Sequence, residues 1–160
     1  GMYFDISHLN DEGMEDLFSL YQGPIMASHS NCRSLMPSMR NLTDDLIGKL
    51  ARSGGVMGMN VCSTFVGDPD VKKLDEKDLA NHVDHIRSLV GVDHVGFGFD
   101  FCDEMRDFTK PGPHRNYDCI KGHHHSIEFT AELLSRGYSE DEVIKVIGGN
   151  FISFLEKTIG

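Results

Sequence analysis

Four short apolar runs alternate along this chain with stretches whose apolar residues recur on a helical period, and that alternation narrows the possible folds most. The run from Val56 to Ser63 is nearly continuous and is broken by Gly58. A strand with one wet face alternates apolar and polar residues, whereas a parallel strand buried on both faces reads as a continuous run. The other runs are Met2 to Ser7, Pro24 to Ser28 and Val92 to Phe101. In the last of these, glycines alternate with phenylalanines, so one face is flat and open to close backbone approach.

The stretches between the runs carry helix signals. Asn10 or Asp11 caps a helix with Met14, Leu17, Phe18 and Tyr21 on one face, stopped by Gly23-Pro24. Thr43 caps a second, with Asp44 and Asp45 at its positive end and Leu46, Ile47 and Leu50 inward, stopped by Gly54-Gly55. Asp75 opens a third, with Leu79, Val83, Ile86 and Val90 inward. A fourth runs from His125 or Ser126 to Arg136. Ser139 and Glu142 form a capping box that starts a last helix, which Gly148-Gly149-Asn150 should interrupt before an amphipathic tail with Phe151, Phe154 and Leu155. Polar loops are expected at His29–Leu42, Thr64–Leu74 and Cys102–Gly122, and loops this long are usually functional. Strands alternating with helices at this spacing predict an α/β fold of parallel (β/α) units with right-handed crossovers.

The 160 residues suffice for a single domain, 1–160. A net charge of −10 argues against nucleic acid as a partner, because phosphate neutralisation needs clustered Lys and Arg. No run approaches the ~20 apolar residues of a membrane span. Gly1 ahead of Met2 reads as a tag remnant. Cys32, Cys62, Cys102 and Cys119 form no C-x-x-C pair, which fits a reducing, cytoplasmic setting. No dinucleotide fingerprint follows the first run, and neither a Walker A sequence nor a nucleophile elbow is present.

His8, His29, Arg40 and Asp100 fall at or just after strand ends, and in a parallel α/β layer those ends face one way, where ligands bind. Neutral imidazoles with a carboxylate suit zinc, and an arginine offers a fixed fork to a substrate carboxylate. A lone strand-end histidine is more often simply hydrogen-bonded; two on successive strand ends, each flanked by serine, shift the balance toward a metal. His82 and His85 read as a surface helix face, His123-His124-His125 as a solvated entry to a helix, and Cys32 and Cys102 as passive neighbours of the site.

Asp5-Ile6-Ser7-His8, Ser28-His29-Ser30, Arg40-Asn41, Gly54-Gly55-Val56, Asp84-His85-Ile86 and Val95-Gly96-Phe97-Gly98-Phe99-Asp100-Phe101 resemble, in order and spacing, the renal (membrane) dipeptidase family, peptidase family M19. Leu133-Leu134-x-Arg136-Gly137-Tyr138-Ser139 and Gly148-Gly149-Asn150 resemble its C-terminal end. The resemblance implies a TIM-type (β/α)8 barrel, a dinuclear Zn2+ site and hydrolysis of a dipeptide amide by metal-activated water. It implies that His8 and His29 ligate zinc, that Arg40 binds the substrate carboxylate, and that Asp100 is catalytic, binding the substrate amine or handling protons. Such a barrel takes ~250 residues, so the chain corresponds to its C-terminal half, four strands with outer helices. The His-x-Asp pair of the other zinc and the carboxylate bridging both metals have no counterpart ahead of His8. Cys102-Asp103 also stands where the family has Asp-Gly, and Ser153 where it has Arg. One chain then offers at most a partial metal site, and a sheet with helices on one face only would leave the other face bare. The remedy expected is a homodimer, or a partner supplying the N-terminal half barrel. The expectation from another class is a catalytically inactive half-barrel remnant serving as a binding or structural module.

Overall fold

In the computed structural model, which describes residues 1–103, 105 and 116–160, four parallel strands pair in sequential order. They are β1 (Phe4–Asp5), β2 (Ile25–Ser30), β3 (Val56–Met59) and β4 (Val95–Phe97). The helices are α1 (Asp11–Leu20), α2 (Asp44–Arg52), α3 (Ser63–Val66), α4 (Glu76–Val90), α5 (Ser126–Ser135), α6 (Glu140–Ile144) and α7 (Asn150–Ile159). The expected caps are in place. Asn10 accepts from Gly13 at 3.0 Å, Thr43 caps α2, and Asp75–Asp78 and Ser139–Glu142 both close as capping boxes. Of the loop expected at Cys102–Gly122, residues 104 and 106–115 lie outside the described residues.

The strands are shorter than the apolar runs, for local reasons. β3 ends at Met59 because the buried Asn31 side chain replaces a neighbouring strand: its Oδ1 accepts from the Asn60 N–H at 3.1 Å and its Nδ2 donates to the Asn60 carbonyl at 2.9 Å. Beyond that point Val61 turns to pair with Phe99 and Cys119 instead. The polar loop expected from Thr64 begins as the short helix α3, and Val92–His94 forms a 3₁₀ turn rather than the start of β4.

One face of the sheet presents Ile25, Ala27, Met57 and Val95 to a core with Leu46, Leu50, Leu79, Val83 and Ile86 of α2 and α4. The other face, expected to be bare, is covered in its lower part and open toward Asp5, Ser28 and Gly98. Met26 and Val56 pack against Phe154, Phe151 and Leu155 of α7, which crosses this second face. Glycine makes the approach possible: a Cβ on Gly96 would lie 2.7 Å from the Phe151 ring. Nor does Gly148-Gly149-Asn150 interrupt the helix. Lys145–Gly149 widens into a π turn that joins α6 to α7. The buried Asn150 side chain then donates to the Val92 and Val95 carbonyls, both at 2.7 Å, and ties the helix to β4.

His82 corrects a further expectation. It is a buried strut, 1% exposed, rather than part of a surface face. Its Nδ1 accepts from the Cys32 N–H at 3.0 Å and its Nε2 donates to the Val66 carbonyl at 2.9 Å, so one neutral ring joins α4 to α3 and to the segment after β2. Burial pushes its pKa down to about 4. His85 keeps a partly exposed place beside Asp44 and Ser34.

Two outcomes follow. Gly58 has no room for a side chain, since a Cβ would lie 2.1 Å from the Ser28 carbonyl oxygen and 2.8 Å from the Gly98 Cα. Gly58→Ala should therefore lose at least about 2 kcal/mol, read as a lowered urea midpoint. His82 stays neutral in the folded chain while the unfolded chain protonates it below about pH 6.5. Folding stability should fall as pH drops from there to about 4, by on the order of 3 kcal/mol, and this part of the slope should vanish in His82→Gln.

Candidate metal centre

The register of the first two strands builds this site. Phe4 pairs with Ile25 and Asp5 with Met26, which sets Ser7 beside Ser28 and His8 beside His29 just past the strand ends. The Asp5 carboxylate then ties the two strands together. Its Oδ1 accepts from the N–H groups of Ser7 and Ser28, each at 3.0 Å, and from the Ser7 hydroxyl at 2.8 Å. Its Oδ2 accepts from the Ser28 hydroxyl. The Ser7 hydroxyl oxygen accepts from the His29 N–H at 3.0 Å. Burial alone would raise the Asp5 pKa, but these donors outweigh it and hold the carboxyl below its usual range.

All four residues singled out from the sequence come together here. His8 Nε2 and His29 Nε2 lie 2.9 Å apart. Arg40 places Nη2 3.2 Å from His8 Nε2, anchors Nε on the Ser7 carbonyl at 3.1 Å, and lies 5.4 Å from the Phe65 ring centroid. Asp100 follows β4 in a left-handed backbone conformation, φ 55°, and its Oδ2 lies 3.9 Å from His29 Nε2. The Cys102 thiol lies 3.9 Å from Asp100 Oδ1, whereas Cys32 is buried against His82, away from these residues.

The proton inventory shows what the pair of imidazoles can hold. A carboxylate only accepts, so the single Ser28 proton goes to Asp5. Ser28 Oγ must then accept from His29 Nδ1–H, at 2.8 Å. Burial pushes His29 below its ordinary pKa, and the Asp100 and Asp5 carboxylates offset this only in part. The ring is thus neutral at pH 7 and Nε2 carries a bare lone pair. Arginine only donates, so His8 Nε2 is an acceptor as well. Two lone pairs therefore face each other across 2.9 Å with no proton between them. A cation removes that repulsion: two nitrogens on a tetrahedral zinc, each ~2.0–2.1 Å from it, are about 3.3 Å apart. The donor set fits zinc as two ligands of a centre. Among the described residues no group of three or more His, Cys, Asp and Glu side chains forms a complete cage.

Some supporting residues escaped the sequence reading. Asp5, Ser7 and Ser28 stand in the motifs beside the histidines, but their bonding depends on strand register. Asn60 donates Nδ2–H to Asp100 Oδ2 at 3.1 Å from the end of β3, and no sequence signal marks it.

Comparisons with known proteins agree with this geometry. The sequence matches the family described as membrane dipeptidase (peptidase family M19) over residues 1–159. A dipeptidase of Aspergillus oryzae, aclJ, is 32% identical over 155 residues, covering 97% of this chain and 35% of that protein. A crystal structure of a Rhodobacter sphaeroides metallopeptidase, liganded with a phosphinate mimic of the dipeptide L-Ala-D-Ala, superposes with a TM-score of 0.82 at 30% identity, covering 96% of this chain and 42% of that one. The structure of the M19 dipeptidase AC gives a TM-score of 0.80 at 29% identity and covers 43% of that chain. The chain spans about a third of the length of the curated relatives it matches. Its four strands and their helices are part of a (β/α)8 barrel. In sequence from end to end, and in the fold that brings the two histidines together, this chain belongs to the membrane dipeptidase family, peptidase family M19.

Proposed function

We propose that this chain supplies zinc ligands and substrate anchors to a hydrolase that cleaves the amide bond of a dipeptide. The observation that carries the reading is the approach of His8 Nε2 to His29 Nε2, 2.9 Å apart, in a chain of an M19 fold. When bound, zinc would polarise the scissile carbonyl and bring the pKa of a water to near 7.

The chain's own side chains divide the remaining work. Arg40 is braced by the Ser7 carbonyl at 3.1 Å and by the Phe65 ring, and Nη2 spends one N–H on His8 Nε2, which leaves Nη1 and the second Nη2 N–H to grip a substrate carboxylate. Asp100 is 41% exposed, with Oδ2 held by Asn60, so Oδ1 can accept from a substrate ammonium or take a proton. A free carboxylate at one end and a free amine at the other describe a dipeptide. The dipeptide mimic bound by the Rhodobacter sphaeroides relative supports that class. The remaining ligands of a dinuclear centre would come from beyond the described residues, a partner chain or a second copy included.

The test measures metal before activity. After zinc loading and gel filtration, elemental analysis should find zinc retained by the wild-type chain and lost from His8→Ala/His29→Ala. Equal zinc in both would overturn the assignment. Turnover is then assayed on dipeptides and on their C-terminal amides. Arg40→Met should raise KM for the acids about tenfold to a hundredfold more than for the amides. Zinc retained without turnover in the complete assembly would mark a binding module instead.

A further inference from the structure

The supporting side chains around His29 are more specific than a metal ligand's ordinary surroundings. Asp5 Oδ1 holds three donors, the N–H groups of Ser7 and Ser28 and the Ser7 hydroxyl, at 3.0, 3.0 and 2.8 Å. Asp5 Oδ2 has one donor, the Ser28 hydroxyl, and Ser28 Oγ in turn lies 2.8 Å from His29 Nδ1. The two oxygens of one carboxylate therefore have separate tasks. One locks β1 to β2, and the other sets the direction of a single hydroxyl proton.

We propose that Asp5 and Ser28 are a positioning pair that fixes His29 in its Nδ1–H tautomer and so keeps Nε2 bare and aimed at His8 Nε2. Neither residue touches substrate; both act through the ring of His29. The consequence for zinc rests on the function proposed above, while the tautomer itself does not. The arrangement makes Asp5→Asn a directed inversion rather than a simple loss. In the variant the amide oxygen takes the place of Oδ1, where three donors demand an acceptor. The Nδ2 group then points at Ser28 Oγ and donates to it. The Ser28 proton turns to His29 Nδ1, and the ring proton moves to Nε2, where it blocks a metal. Isosteric replacement of a carboxylate that orients a histidine acts in this way by imposing the wrong tautomer.

The experiment is two-bond 1H–15N correlation NMR on the metal-free protein at pH 7.5, followed by zinc titration against a chromophoric chelator. In the wild type, His29 should show a pyrrole-type Nδ1 and a pyridine-type Nε2. In Asp5→Asn the two signatures should exchange at His29 while those of His8 stay in place. Zinc affinity should fall about tenfold to a hundredfold. Ser28→Ala should weaken zinc comparably and leave His29 as a mixture of tautomers. A variant that merely unfolds would shift both histidines together, and far-UV circular dichroism at the same pH identifies it; Ser28→Ala then carries the test. A His29 that keeps Nδ1–H in folded Asp5→Asn overturns the proposal, whereas an exchanged tautomer with unchanged zinc affinity overturns the assignment of His29 Nε2 as a zinc ligand. A wild type that shows the tautomer and binds no zinc overturns the metal assignment instead and leaves the positioning pair standing.

Discussion

The parallel pairing of β1 with β2, locked by one carboxylate, is the constraint on which the rest of this site depends. Only two residue pairs define the ladder, Phe4 with Ile25 and Asp5 with Met26. Two residues of ladder fix a register weakly, and a slip of one would send each side chain to the opposite face. Asp5 supplies the missing specification. It reaches across to the Ser28 N–H and hydroxyl, which stand opposite Ser7 only in the observed register. The same contacts that hold the strands thus bring His8 and His29 to one point. Stability of the strand end and geometry of the candidate centre are a single set of hydrogen bonds.

Much of this was legible in the residues. The apolar runs, the caps at Asn10, Thr43, Asp75 and Ser139, and the convergence of His8, His29, Arg40 and Asp100 follow from local pattern and from the rule that parallel strands end together. What escaped depends on partners far away in the chain. His82 looks like a surface residue because its i, i+3 neighbour His85 is one, whereas its burial is decided by the Cys32 N–H and the Val66 carbonyl. The lower part of the second face is covered because Gly96 makes room for Phe151, a pairing that no periodicity reports. The truncation of β3 has the same origin, since a side-chain amide on Asn31 imitates a neighbouring strand. Sequence pattern reports what each element prefers on its own and is silent on which side chain substitutes for backbone.

Arg40 shows how closely the parts of the site are interlocked. Its Nε is bonded to the carbonyl of Ser7, the residue whose hydroxyl also joins Asp5 and the His29 N–H. Its Nη2 meets the lone pair of His8. A guanidinium cannot be deprotonated in a protein and cannot accept. Its presence therefore fixes His8 Nε2 as an acceptor, as surely as Ser28 fixes His29. One proton-rich cation and one proton-poor carboxylate, at opposite sides of the histidine pair, impose the same outcome on both rings.

The two carboxylates of the site show how surroundings assign work. Asp5 has both oxygens engaged by backbone and hydroxyl donors of its own and the adjacent strand, and it is held ionised below the usual range. Both oxygens are committed to the strand pairing and to the Ser28 hydroxyl, so its role is to orient. Asp100 stands on a left-handed residue past the end of β4, with Oδ2 steadied by Asn60 at 3.1 Å and, among the described residues, Oδ1 facing the weak thiol donor of Cys102 at 3.9 Å. Among the described residues this carboxylate is fixed by one oxygen and keeps the other for a substrate. Of the two, only Asp100 can exchange a proton with a bound substrate at no cost to the fold, whereas a proton on Asp5 would break the bonds that set the register of β1 on β2.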